Sequence, residues 1–123
     1  MPGLKTKVVN LISLKKLPMT DVTLSLGVFP YIFDNNDLHR ILGNIESDLL
    51  IVRVPCTFNK EDEIINKFSD DLGENYASIY RTIDNYVSIL SDHFVISEIS
   101  RAWPDEIESR YGTKQFYFVG RKL

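Results

Sequence analysis

Asp21-Val-Thr-Leu-Ser-Leu-Gly-Val-Phe-Pro-Tyr-Ile32, a helical segment, and Asp48-Leu-Leu-Ile-Val-Arg-Val-Pro55 decide how this chain folds. Val22 to Leu26 and Leu49 to Val54 are short, nearly continuous apolar runs, the pattern of strands buried on both faces of a parallel sheet. Between them Leu38, Ile41, Leu42 and Ile45 recur at helical spacing over Asn35 to Asn44, with Asp34, Asn35 or Asn36 available to cap the start. Parallel strands require a crossover, and a right-handed strand-helix-strand unit is the expected form. The named apolar residues are read first as core, because burial of such runs drives folding.

Working outward, Lys7 to Ser13 carries Val8, Val9, Leu11 and Ile12 and reads as a strand, with Pro18 marking irregular backbone after it. Gly27 permits positive φ or close approach of another group, and Pro30 forbids ordinary ladder pairing. In open α/β sheets ligands bind beyond the carboxyl ends of the strands. Leu26, Gly27, Val28, Phe29 and Tyr31 are therefore placed to line a site, or else Phe29 and Tyr31 pack on the following helix.

Beyond Pro55, Cys56, Thr57 and Phe58 read as a loop. Asn59 to Leu72 is expected to be a helix: Ile64, Ile65, Phe68 and Leu72 form a stripe, Gly73 stands where a helix would end, and Glu61, Asp62 and Glu63 suit its first turn. Tyr76 to Ser91 is expected to be a second helix, with Tyr76, Ile79, Tyr80, Ile83, Tyr86, Val87 and Leu90 at helical spacing. Its tyrosines serve packing or form a wet rim over a substrate. Phe94 to Ser100 alternates as a strand, with Phe94, Ile96 and Glu98 on one face. Arg101 to Gly112 is a charged loop, and Gln115 to Gly120 a final strand antiparallel to its predecessor.

These segments, taken in order, resemble the second half of a class I S-adenosylmethionine-dependent methyltransferase. The resemblance rests on Leu14-Lys-Lys-Leu-Pro18, Asp21 to Ile32, Leu50-Ile-Val-Arg-Val-Pro55 and the terminal Tyr111 to Val119. It implies a partial Rossmann-like α/β sheet of parallel strands with crossover helices and a C-terminal antiparallel strand pair. The order would be that of the family's strands three to seven, within three, two, one, four, five, seven, six. It implies a cofactor, S-adenosylmethionine, beside Ser13, Leu14, Leu26, Gly27 and Val28. It implies an acceptor near Phe29, Tyr31, Cys56 and the pair Tyr80-Arg81. Ser13 departs from the Asp common at that point. The family's glycine-rich loop and the acidic residue ending its second strand have no counterpart, so the chain is expected to bind the cofactor weakly or not at all alone.

The 123 residues are enough for one domain, residues 1–123, with a real core. Net charge is −3, which gives no nucleic-acid footprint. The single cysteine excludes an internal disulfide framework and fits a reducing, cytoplasmic setting. No apolar run approaches the roughly 18–20 residues of a membrane span. The six glycines, at 3, 27, 43, 73, 112 and 120, build no phosphate-cradling loop. His39, Cys56 and His93 are dispersed, so no metal is expected; a Cys56 nucleophile with either histidine stays open. If strands one and two are missing, Val22 to Leu26 has a free edge. A homo-oligomer, a separate N-terminal half, or pairing by Lys7 to Ser13 would each occupy it. A non-enzymatic α/β interaction module is the competing function.

Overall fold

The computed structural model describes residues 20–70, 73–104 and 113–123. Its central strand is β2, Leu49–Thr57. β1, Val22–Leu26, runs beside it in parallel, with Leu24 opposite Ile51. The crossover is α1, Asn35–Gly43, as the apolar spacing predicts. Asp34 caps it, its Oδ1 accepting from the Asn36 N–H at 2.7 Å, so one of the unpaired first-turn donors is satisfied. A short 3₁₀ turn, Phe29–Tyr31, joins β1 to this helix.

On the other side of β2 lies β6, Thr113–Lys122, antiparallel over the whole strand from Leu49 opposite Arg121 to Thr57 opposite Thr113. β5, Phe94–Arg101, pairs antiparallel with β6 and forms the far edge. A bulge between Ile96 and Glu98 interrupts its expected alternation, and the Ser97 hydroxyl donates to the Val119 carbonyl at 3.2 Å. The order β1-β2-β6-β5 is the four, five, seven, six order implied by the resemblance, with only β6 reversed.

Two expected elements differ. The 59–72 segment is a strand, β3, Glu63–Ser69, and the first half of the 76–91 segment is a strand too, β4, Glu74–Thr82. They pair antiparallel from Glu63 opposite Tyr80 to Ser69 opposite Glu74, and Gly73, at φ +68°, belongs to the turn between them. Only from Ile83 does a helix begin, α2, Ile83–Ser91, started directly from the strand by the Thr82 hydroxyl accepting from the Asn85 N–H at 3.1 Å. The acidic cluster serves this junction. Asp62 accepts from the Thr82 N–H and the Asn85 amide at 2.9 and 2.8 Å, while Glu63 accepts from the Thr57 hydroxyl at 3.1 Å and from Asn59.

Cys56 and Thr57 also differ from expectation: they are not loop but the end of β2, paired in parallel with Arg81 and Thr82 of β4. β1 and β4 thus share one edge of β2. Pro55 falls at the change of partner. The Arg53 carbonyl accepts from Gly27, so odd-numbered β2 residues aim their backbone groups at that edge. The missing N–H of Pro55 faces the gap between the last β1 partner, Arg53, and the first β4 partner, Cys56. A proline inside a central strand costs little there.

Both helices cover one face. β1 to β2 and then β4 to β5 advance across the sheet in the same sense, so crossovers of one hand place α1 and α2 together. Leu38, Ile41 and Leu42 of α1 and Tyr86, Ile89 and Leu90 of α2 bury against Leu50, Val52, Val54, Phe94, Phe116 and Phe118. Each such side chain contributes about 1.5–3 kcal/mol of burial. The opposite face is different. Val22, Leu24 and Leu26 are 44, 62 and 46 % exposed, where burial on both faces was expected. Among the described residues no element covers them. The expected Lys7 to Ser13 strand lies outside the described residues.

Candidate functional site

The carboxyl ends of β1 and β2 carry the candidate site. Gly27 leaves β1 at φ +75°, its N–H bonded to the Arg53 carbonyl at 2.9 Å. Among the described residues nothing stands within 4 Å of the place a Cβ would occupy, and the glycine serves a left-handed turn. Leu26, Val28 and Tyr31 are exposed around it and form a rim. Tyr80, half-buried, stands on the adjacent hairpin strand.

Phe29, Cys56 and Arg81 lie behind that rim. Phe29 is 2 % exposed and belongs to the core cluster. Arg81 is fully buried, and its guanidinium holds the 3₁₀ turn: Nη1 donates to the Phe29 carbonyl at 3.3 Å and Nη2 to the Ile32 carbonyl at 2.5 Å. Its Nε donates to the Asn35 side chain at 2.9 Å, reaching the first residue of α1. The planar fork suits three acceptors in fixed directions in a way an ammonium does not. The Tyr86 ring lies 5.7 Å from the guanidinium, a cation–π distance. Burial pushes the Tyr86 hydroxyl well above the ordinary tyrosine range, against the opposing pull of the Arg81 cation. A buried cation is costly unless compensated; here carbonyl oxygens and a π-face do this at a turn that must keep its shape.

Burial likewise pushes the Cys56 thiol up to about 12, leaving no thiolate near neutrality. The nucleophile reading needs an imidazole beside it, but the two histidines face each other. His39 Nδ1 and His93 Nε2 lie 3.0 Å apart, with an Asp92 carboxylate oxygen 3.9 Å from His39. Burial, then the charge of His39, push His93 below its ordinary value. Nothing in the sequence marks this pair, whose members stand 54 positions apart and meet only when α1 packs beside the start of β5. Among the described residues no group of three or more His, Cys, Asp or Glu is placed to hold a metal ion.

Ser13 and Leu14 lie outside the described residues. An apolar groove of about 490 Å³ between α2 and β5, lined by Val87, Phe94, Ile96 and Ile99, stands at the far edge of the sheet from the Gly27 turn. No described helix is long and apolar enough to cross a membrane.

Solved structures supply the comparison. A protein from Listeria monocytogenes assigned as an S-adenosylmethionine-dependent methyltransferase matches with a TM-score of 0.73 at 16% identity, over 100% of this chain and 71% of that one. The fold is that of a class I methyltransferase. A Methanosarcina mazei protein of the S-adenosylmethionine-dependent methyltransferases matches at 0.67 and 18% identity, over 95% of this chain and 66% of that one. The 1,6-didemethyltoxoflavin-N1-methyltransferase of Burkholderia thailandensis, solved with S-adenosylhomocysteine, matches at 0.60 and 12% identity over 94% of this chain and 49% of that one. The chain thus spans between about half and 71% of these proteins. No protein-family model and no curated protein matches the sequence.

The residues present fit S-adenosylmethionine in part. Gly27 allows close approach, and Leu26 and Val28 give it an apolar border. The glycine-rich turn that would hold the rest of the cofactor has no counterpart in the sequence.

Proposed function

We propose that this chain is the acceptor-facing part of an S-adenosylmethionine-dependent methyltransferase, inactive by itself. The observation carrying this reading is the β1-β2-β6-β5 order with an open Gly27 turn at the carboxyl ends of β1 and β2. S-adenosylmethionine, where bound, supplies an electrophilic methyl group on a sulfonium. Leu26, Gly27 and Val28 border the cofactor. Tyr31 and Tyr80 face the acceptor, while Phe29, Cys56 and Arg81 hold the backbone beneath them. Their contribution is positioning: an acceptor atom held in line with the transferring methyl gains from lost freedom prepaid at binding. A buried thiol that stays reduced suits a cytoplasmic setting.

The test has two parts. Titration calorimetry of the isolated chain with S-adenosylhomocysteine gives no saturable heat below roughly millimolar concentration, about −4 kcal/mol or weaker; micromolar binding contradicts the incomplete site. The coding region directly upstream encodes, in frame, a strand followed by a glycine-rich loop; its absence from the locus contradicts the methyltransferase reading. An interaction module is favoured instead if that region is absent and the chain holds a specific partner. The exposed Val22, Leu24 and Leu26 are the observation on its side.

A further inference from the structure

The outer edge of β1 has a directional pattern. Gly27 donates its N–H toward β2, so Thr23, Ser25 and Gly27 point their backbone groups inward and Val22, Leu24 and Leu26 point theirs outward. No other described strand pairs with that outward edge. The strand Val-Thr-Leu-Ser-Leu is symmetric in character about Leu24: apolar at 22, 24 and 26, hydroxylated at 23 and 25. Turned about a two-fold axis at Leu24 and laid antiparallel on itself, it sets Leu24 opposite Leu24, Val22 opposite Leu26, and Thr23 opposite Ser25. The outward-facing residues then form the hydrogen-bonded pairs, and the hydroxyl residues fall in the close, non-hydrogen-bonded pairs. A shift of two residues either way keeps outward residues in hydrogen-bonded pairs but sets Ser25 opposite Asp21, or Thr23 opposite Gly27, so only the register centred on Leu24 pairs both hydroxyl residues with each other.

A second observation points the same way. The Ser25 hydroxyl is buried, at 8 % residue exposure, and has no hydrogen-bond partner among the described residues. Thr23, by contrast, is engaged, its Oγ1 2.7 Å from the Ser47 hydroxyl. A buried hydroxyl without a partner costs about 1–3 kcal/mol. In the two-fold register Ser25 of one copy meets Thr23 of the other on the same face, a cross-strand Ser–Thr pair. The same step joins the two Val22-Leu24-Leu26 stripes into one apolar band.

We propose that two copies of this chain pair edge to edge through β1, antiparallel, with the two-fold axis at Leu24. The interface is isologous, so each copy presents the same strand to the other. In the order that the resemblance implies, strand one takes this same edge, so the pairing is proposed for the 123-residue chain by itself and competes there with an N-terminal half.

The tests are sedimentation equilibrium and site-directed cross-linking. The wild-type chain sediments at twice its 14.2 kDa mass. Leu24→Pro removes an outward N–H without touching the bonds to β2 and weakens the dimer at least tenfold, with an unchanged circular dichroism spectrum. Leu24→Cys is joined to itself by a short bifunctional thiol reagent, because hydrogen-bonded antiparallel partners stand about 5.5 Å apart at Cα, with Cβ atoms too far apart for an unstrained direct disulfide. Val22→Cys does not cross-link to itself, since four residues of offset separate the two sites by roughly 13 Å; mixed with Leu26→Cys, it does. The buried Cys56 does not compete. If Leu24→Pro fails to fold, the cross-links decide. A monomer overturns the proposal, whether residues 7–13 or a separate polypeptide occupies the edge. So does a dimer in which the short reagent fails to join Leu24→Cys to itself.

Discussion

The two faces of the β1–β2 pair carry side chains of similar character and opposite fate. On one, Leu50, Val52 and Val54 are at most 1 % exposed beneath α1 and α2. On the other, Leu24 stands opposite Ile51 in register and remains 62 % exposed. Composition alone does not separate them. The difference comes from connectivity: crossovers of one hand, advancing in one direction across the sheet, deliver helices to a single side. In a doubly wound sheet the other face is covered by segments that wind the opposite way, and among the described residues there are none.

The contrast can be broken in order of size. Phe118→Ala, on the covered face, costs about 3–5 kcal/mol by urea unfolding; a loss below about 1 kcal/mol means that this face is not the core. Arg81→Lys comes next. It leaves the Phe29 and Ile32 carbonyls and Asn35 without their fork, and we expect a loss of about 2–3 kcal/mol. Stability equal to wild type would show that the turn is held by something else. Asp34→Ala removes the α1 cap at a cost of about 1 kcal/mol. Leu24→Ala, measured dilute enough to be monomeric, changes stability by less than about 1 kcal/mol; a cost matching Phe118→Ala would mean that the open face is covered.

The smallest effect is with pH. His93 is held below its ordinary value of 6.5 in the folded chain. The unfolded chain therefore takes up the proton first as pH falls. This contribution to stability is full above about pH 6.5, declines as pH drops below it, and levels off once the folded histidine is protonated too. The wild-type Tm is expected to fall from pH 7.5 to 5.5 by slightly more than that of His93→Asn. Equal slopes would remove His93 from the account.

How much was legible follows from how local each signal is. β1, α1, β2, β5 and β6 each carry their own periodicity, and the Asp34 cap and the Gly27 turn lie in contiguous residues. β3 and β4 do not. Ile64, Ile65 and Phe68 satisfy a helical stripe, yet Ile64 and Phe68 are 63 and 61 % exposed, so no buried face selected a helix. Pairing between two strands on opposite sides of a turn decided the matter, and single-segment periodicity does not contain it. The Tyr80-Arg81 pair was visible as a pair, but not that Arg81 turns inward to the 3₁₀ turn. That depends on Cys56 lying beside it in register. The exposure of Val22, Leu24 and Leu26 was illegible for the same reason: five residues cannot reveal which faces receive a helix.

One measurement addresses the two-faced sheet directly. In methyl-labelled protein with a soluble paramagnetic gadolinium chelate, the methyls of Val22, Leu24 and Leu26 should broaden strongly, and those of Leu42, Leu50 and Val52 should not. Edge pairing through β1 would leave that ranking intact, since it covers the strand's rim and not its face. Equal protection of both sets would contradict a sheet that is core on one side and open on the other.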